Sequence, residues 1–132
     1  MSPAPGLLRQ AMCRLFYDHN ERVAPVVIDQ HLRDREILPI AGGIEIIHVP
    51  RHCAGQVALL RLPGRMLFAG DVRMNIMGLG DPVGFESLED GRVSQRKLAG
   101  LSFDAAGFGQ GKPIAKEAST RFRNKWGDTS SA

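Results

Sequence analysis

Three side chains of this 132-residue chain stand where an apolar run gives way to a turn, and each is of a type that does metal chemistry or borders on it. His52 lies in PRHCAG, after the run GIEIIHVP, where a proline-containing turn holds an imidazole at a strand end. A neutral imidazole is a good ligand for zinc and similar metals. Asp71 closes the run RMLFAGD, and its carboxylate is suited to bind one divalent metal or to bridge two. Bridged metals lower the pKa of a trapped water and so supply hydroxide near neutral pH. Gln110 lies in GFGQGKPI, a glycine-flanked turn of the kind that lets backbone approach a site closely. A glutamine, however, is a poor zinc ligand. Each residue also has a plainer reading: a lone turn histidine is structural or merely exposed, and a lone aspartate forms a turn or a cap. His48 alternates with Ile44 and Ile46 and reads as a partly buried strand histidine, while His19 and His31 fall in polar, solvated stretches.

The elements that must position these residues form a mixed α/β pattern. Leu7, Leu8, Met12, Leu15 and Phe16 recur at helical spacing after Pro5-Gly6. Val26 to Ile28 is a short strand or a packed loop. The segment DREILPIAGGIEIIHVP reads as a hairpin, with Ile37 to Ile40, a turn at Gly42-Gly43, and a strand from Ile44 to Val49. Gln56 to Leu62 is a third strand, Pro63-Gly64 a turn, and Arg65 to Ala69 a fourth, with antiparallel neighbours expected. Residues 73–92 read as a long loop, because they are rich in Gly, Met and acidic side chains without periodicity. Met74 and Met77 in it suit adaptable packing or a flap. A helix over Val93 to Ala99 follows, then the apolar piece LSFDAAGFG. Ala115, Ala118, Phe122 and Trp126 then mark one face of a C-terminal helix.

Length favours one domain, and 43% hydrophobic with 23% charged residues is ordinary for a globular protein. The expected layout is a single domain over 1–132: an N-terminal helical segment 1–25, a core 26–126 and a polar tail 127–132. The net charge of +3 is spread along the chain, apart from Arg121, Arg123 and Lys125. No aromatic residue is interleaved with those three at a useful spacing, so they read as a solvated helix face and no nucleic acid is expected. Cys13 and Cys53 make no disulfide framework, which points to a reducing, cytoplasmic setting. No run approaches the roughly 18 apolar residues of a membrane span, and no secretory pattern opens the chain.

Taken together, GGIEIIHVPRHCAGQVALL, RMLFAGDV and LSFDAAGFGQGKPI resemble the C-terminal half of a metallo-β-lactamase-fold hydrolase, over roughly Val26 to Trp126. The resemblance implies an αββα sandwich, of which this chain would supply mainly the second β-sheet with flanking helices. It also implies zinc or related metals, and hydrolysis of esters, thioesters, amides or phosphodiesters. In that family the histidine of a P-x-H-[TS]-x-G turn is a ligand, here His52. The aspartate after an apolar strand ending in Gly is the bridging ligand, here Asp71. A histidine in a G-H-G turn completes the second metal, and Gln110 takes that position.

Two departures bear on activity. The H-x-H-x-D-H motif that supplies the other ligands is absent from the sequence, and the final ligand is substituted. A catalytic zinc usually has about three protein ligands plus a water, and His52 with Asp71 falls short of that. The expectation is therefore a catalytically incomplete chain, such as the truncated product of a longer gene or an interaction module. Such a chain would leave an apolar sheet face exposed or hide it in a homodimer. The alternative is a metal-dependent hydrolase whose missing ligands come from an N-terminal half or a partner chain.

Overall fold

Two tight turns set the register of the central sheet. At the first, Gly42 and Gly43 adopt φ of 82° and 110°, and a Cβ on Gly42 would sit 2.6 Å from Pro63 Cγ. Only glycine takes up that left-handed, crowded conformation at low cost. At the second, around Pro63-Gly64, Arg65 N–H donates to the Leu62 carbonyl at 3.3 Å.

The computed structural model of the chain describes residues 2–3, 24–50, 53–72, 74–75, 78–80, 84–85 and 88–127. Its strands in chain order are β1 (Ser2–Pro3), β2 (Ile37–Leu38), β3 (Ile44–His48), β4 (Val57–Arg61), β5 (Met66–Phe68), β6 (Met74–Asn75), β7 (Leu79–Gly80), β8 (Gly84–Phe85), β9 (Ala105–Gly107) and β10 (Gln110–Gly111). The helices are α1 (Leu88–Ala99) and α2 (Ala118–Trp126), with a 3₁₀ turn at Gly70–Val72. β2, β3, β4, β5 and β9 form a five-stranded sheet in that order. The first four strands pair antiparallel, while β9 lies parallel to β5. A parallel neighbour requires a crossover, and α1 lies within it.

One sheet face carries the core. Leu60, Leu67 and Ala106 stand in register across β4, β5 and β9, and Ile47 stands opposite Ala58; all are buried. They join Leu98 of α1, Phe103, Ile114, and Ala118 and Phe122 of α2 in one cluster. Phe122 is the hub, with its ring 5.1 Å from Phe103, 5.2 Å from Trp126 and 6.2 Å from Phe108. The opposite face carries the row Ile46, Leu59 and Phe68, of which Ile46 is buried, Leu59 half-buried and Phe68 42% exposed.

Several sequence expectations change. The α1 helix starts at Leu88, inside the stretch expected to be loop, and β6, β7 and β8 occupy part of the remainder. Its buried positions include Gly91, Ser94 and Leu98, so small and polar residues mask the apolar period on which the sequence reading relied. Val93, expected to open the helix, is exposed within it. Val26 to Ile28 is neither strand nor packed loop, and its side chains are 66–86% exposed. The strand expected over Ile37 to Ile40 ends at Leu38. Ala115 precedes the C-terminal helix and is exposed, whereas Ala118 and Phe122 are buried as expected. The N-terminal helix expected over Leu7 to Phe16 lies outside the described residues.

Candidate functional site

β3 and β5 both run opposite to β4, and β9 runs with β5, so the carboxyl ends of β3, β5 and β9 share one edge of the sheet. Those ends are followed by Val49–Pro50, Gly70–Val72 and Phe108–Gly109, and the last two lead to Asp71 and Gln110. The pairing thus brings segments 39 positions apart, from Asp71 to Gln110, to one edge.

The strongest geometry lies between the second and third of these segments. Asp71 is exposed in the 3₁₀ turn directly after β5. Ala69 N–H donates to the Gly107 carbonyl at 2.8 Å, and Gly109 N–H donates to the Gly70 carbonyl at 3.0 Å. These bonds draw the chain around Gly109 against Asp71, and a Cβ on Gly109 would fall on the Asp71 carboxylate. The carboxylate occupies the space a side chain at 109 would take. Gln110 follows at once, exposed on β10, which pairs in parallel with β6. Asn75 fixes that pairing: its carbonyl accepts from Lys112 N–H at 2.9 Å, and its side-chain amide donates to the Lys112 carbonyl at 2.7 Å.

Replacing Gly109 with alanine should therefore push the Asp71 carboxylate out of place at a modest stability cost of about 1 kcal/mol. The carboxyl ¹³C shift of Asp71, followed beside a thermal melt, reports the displacement. An unmoved resonance would contradict the contact.

His52 lies outside the described residues, but the ends of its turn are firmly held. Val49 N–H donates to the Gln56 carbonyl at 2.9 Å, and Ser94 Oγ of α1 donates to the Pro50 carbonyl at 2.9 Å. His48 Nε2 lies 2.8 Å from the Ala54 carbonyl, so an N–H there donates across the turn. His48 is exposed, not partly buried: it lies at the end of its strand, on the face opposite Ile47. Its imidazole thus holds a turn. Cys53, just after His52, is a free, exposed thiol.

Sequence reasoning missed a further clamp at the end of β3. Asp34 Oδ1 accepts the His48 backbone N–H at 2.8 Å, and Lys97 Nζ of α1 reaches both Asp34 oxygens at 2.7 Å and the His48 carbonyl at 3.0 Å. The Asp34–Lys97 pair spans 63 positions, so no local pattern announces it. Burial by itself would raise the Asp34 pKa. The hydrogen bonds from Lys97 and the His48 backbone, with the charges of both residues, outweigh it and hold the carboxyl below 3.8.

The clamp therefore stabilises the fold above the ordinary aspartate range, where folded and unfolded forms are both ionised, and fades as pH falls through the lowered folded-state value. For so exposed a pair the contribution is at most about 1 kcal/mol. Urea midpoints for the parent and Lys97→Met should differ at pH 7 and converge at the acid end. A constant difference would show that the lysine acts only through packing.

The comparisons with known proteins agree with this architecture. The chain is similar in structure to the metallo-β-lactamase family protein TTHA1429 from Thermus thermophilus, at 26% identity and a TM-score of 0.61, covering 92% of this chain and 45% of that one. It is likewise similar to the archaeal metallo-β-lactamase superfamily protein ST1585 from Sulfolobus tokodaii, at 16% identity and a TM-score of 0.63, covering 90% of this chain and 48% of that one. This is part of a metallo-β-lactamase fold. The chain spans less than half the length of either protein, and its five-stranded sheet with two helices corresponds to the C-terminal part of the fold. No protein-family model and no curated protein matches the sequence.

Metallo-β-lactamase relatives imply a divalent metal, so the donors present must be compared with one. Asp71 offers a suitable carboxylate, whereas Gln110 offers only an amide. No three His, Cys, Asp or Glu side chains among the described residues group to hold a metal. Zinc usually takes about three protein ligands, and of the three residues assigned to the site Asp71 and Gln110 are described. No helix among the described residues is long and apolar enough to cross a membrane.

Proposed function

We propose that this chain is a catalytically incomplete metallo-β-lactamase-type module, which carries a fragment of a hydrolase metal site and turns over no substrate unaided. The observation that carries the proposal is the seating of the Asp71 carboxylate against Gly109, one residue before Gln110. The edge that bears a bridging ligand in the family is kept, while the position of the last ligand holds an amide. His52 and Asp71 are the residues assigned to metal, and Gln110 marks the substituted place. The sequence has no H-x-H-x-D-H segment to supply the others.

A second reading has its own support. The Asp71–Gly109 packing and the bonds made by Val49, Pro50 and Ala54 brace the described part of the edge for ligands delivered from elsewhere. In that reading a polypeptide bearing the H-x-H-x-D-H motif, or a second copy of the chain, covers the face of Ile46, Leu59 and Phe68. The assembly then hydrolyses an ester, thioester, amide or phosphodiester. With two cysteines and no disulfide framework, the setting is a reducing cytoplasm.

Zinc titration calorimetry and turnover of a generic ester test both readings. The parent chain should bind zinc weakly and hydrolyse nothing. Gln110→His should tighten zinc about tenfold by replacing an amide with an imidazole. Equal binding by parent and variant would remove Gln110 from the site. Hydrolysis by the purified monomer, abolished by a chelator and restored by cation, would overturn the claim of incompleteness. Activity that appears only on adding the motif-bearing segment would establish the second reading.

A further inference from the structure

Away from the sheet edge, the carboxyl-terminal ends of α1 and α2 enclose a cleft of about 280 Å³, lined by Arg96, Ala99, Gly100, Arg123, Trp126 and Gly127. Nothing in the metal-site reading uses it. Two arginines, one from each helix, line it beside a tryptophan and small residues.

Three of the helix-end carbonyls are engaged by their own chain. Gly100 N–H donates to the Arg96 carbonyl at 3.0 Å, Leu101 N–H to the Leu98 carbonyl at 3.1 Å, and Gly127 N–H to the Arg123 carbonyl at 2.7 Å. The side chains of Arg96 and Arg123, by contrast, have no hydrogen-bond or ion-pair partner among the described residues. Ion pairs form elsewhere, at Arg35–Glu45 and Lys97–Asp34. The acidic residues of α1, Glu89 and Asp90, stand in its first turn at the far end from the cleft. Trp126 is half-buried, fixed by edge packing on Phe122 and by Lys125 Nζ 5.8 Å from its ring centre. An aromatic side chain therefore lines the cleft together with two arginines. Planar guanidiniums pair with carboxylate or phosphate through two parallel hydrogen bonds, and the indole and alanine wall favours a flat apolar body.

We propose that this cleft binds a small planar anion, an aromatic ring bearing a phosphate or carboxylate. The volume lies at the small end for ligand sites and admits a single substituted ring more readily than a dinucleotide.

Trp126 is the one tryptophan in the chain, so its fluorescence reads the cleft directly. Phenyl phosphate and benzoate should each change the emission saturably, while inorganic phosphate and phenol, each holding half of the recognised chemistry, should bind more weakly. Arg96→Gln and Arg123→Gln replace exposed helical residues with another good helix former, and circular dichroism will show them folded. Each should weaken phenyl phosphate about tenfold or more, by removing one charge-assisted pair. The proposal falls if no saturation occurs up to about 10 mM, a concentration that would expose even millimolar affinity. It also falls if both variants bind as the parent does, or if inorganic phosphate equals phenyl phosphate. Tighter, steeply salt-dependent binding of oligothymidylate would replace it with a nucleic-acid surface.

Discussion

Replacing Phe122 with alanine should cost the folded chain about 3–5 kcal/mol, the range for truncating a buried aromatic ring. Its side chain is fully buried, and its ring meets Phe103, Phe108 and Trp126, so one substitution opens a void where α2, the strand β9 region and the segment before it come together. Against a typical total of about 5–15 kcal/mol, such a loss leaves a marginal fold. Urea denaturation gives the number. Val93→Ala, at a position 53% exposed, serves as control and should shift stability by less than about 0.5 kcal/mol beyond its helix-propensity gain. A loss at Phe122 below about 1.5 kcal/mol would mean that the aromatic hub is not the centre of the core.

Ser119 to alanine should be the next most damaging change. Ser119 is buried near the start of α2, where Oγ accepts the Phe103 N–H at 2.5 Å and donates to the Phe103 carbonyl. The two halves of this exchange are not equal. The Phe103 carbonyl keeps a second donor, Ser119 N–H at 3.2 Å, so the substitution leaves the Phe103 N–H as the orphan. A buried donor without a partner costs about 1–3 kcal/mol, which is the expected loss. Amide exchange separates this cause from generic loosening: the Phe103 N–H should exchange faster than its neighbours Asp104 and Ala106, whose N–H groups keep the Arg65 and Ile114 carbonyls. Uniform acceleration across the three would assign the effect to packing instead.

These positions also mark where the sequence was readable. The turns at Gly42-Gly43 and Pro63-Gly64 announce themselves by residue type, and the strands between them alternate clearly enough to set the antiparallel core. Phe122 was visible through its spacing with Ala118 and Trp126. By contrast, α1 buries Gly91 and Ser94 and exposes Val93, so its inward face carries little apolar signal and its first five residues read as loop. The exposed run Val26 to Ile28 misled in the opposite direction, since apolar residues do not become core unless an element covers them.

For the candidate site, local chemistry fixed the residue types: a histidine and an aspartate after apolar runs, and a glutamine between glycines. Family resemblance gave those residues their assigned roles. Composition also fixed the shortage, since no further ligand motif is written in the chain. Only the tertiary arrangement could bring Asp71 against Gly109, gather the carboxyl ends of β3, β5 and β9 on one edge, and bind β3 to α1 through Asp34 and Lys97. The reason is physical. Residue type and spacing record what a segment prefers by itself, whereas strand order and long-range hydrogen bonds arise when segments dozens of positions apart must satisfy one another's backbone and surface.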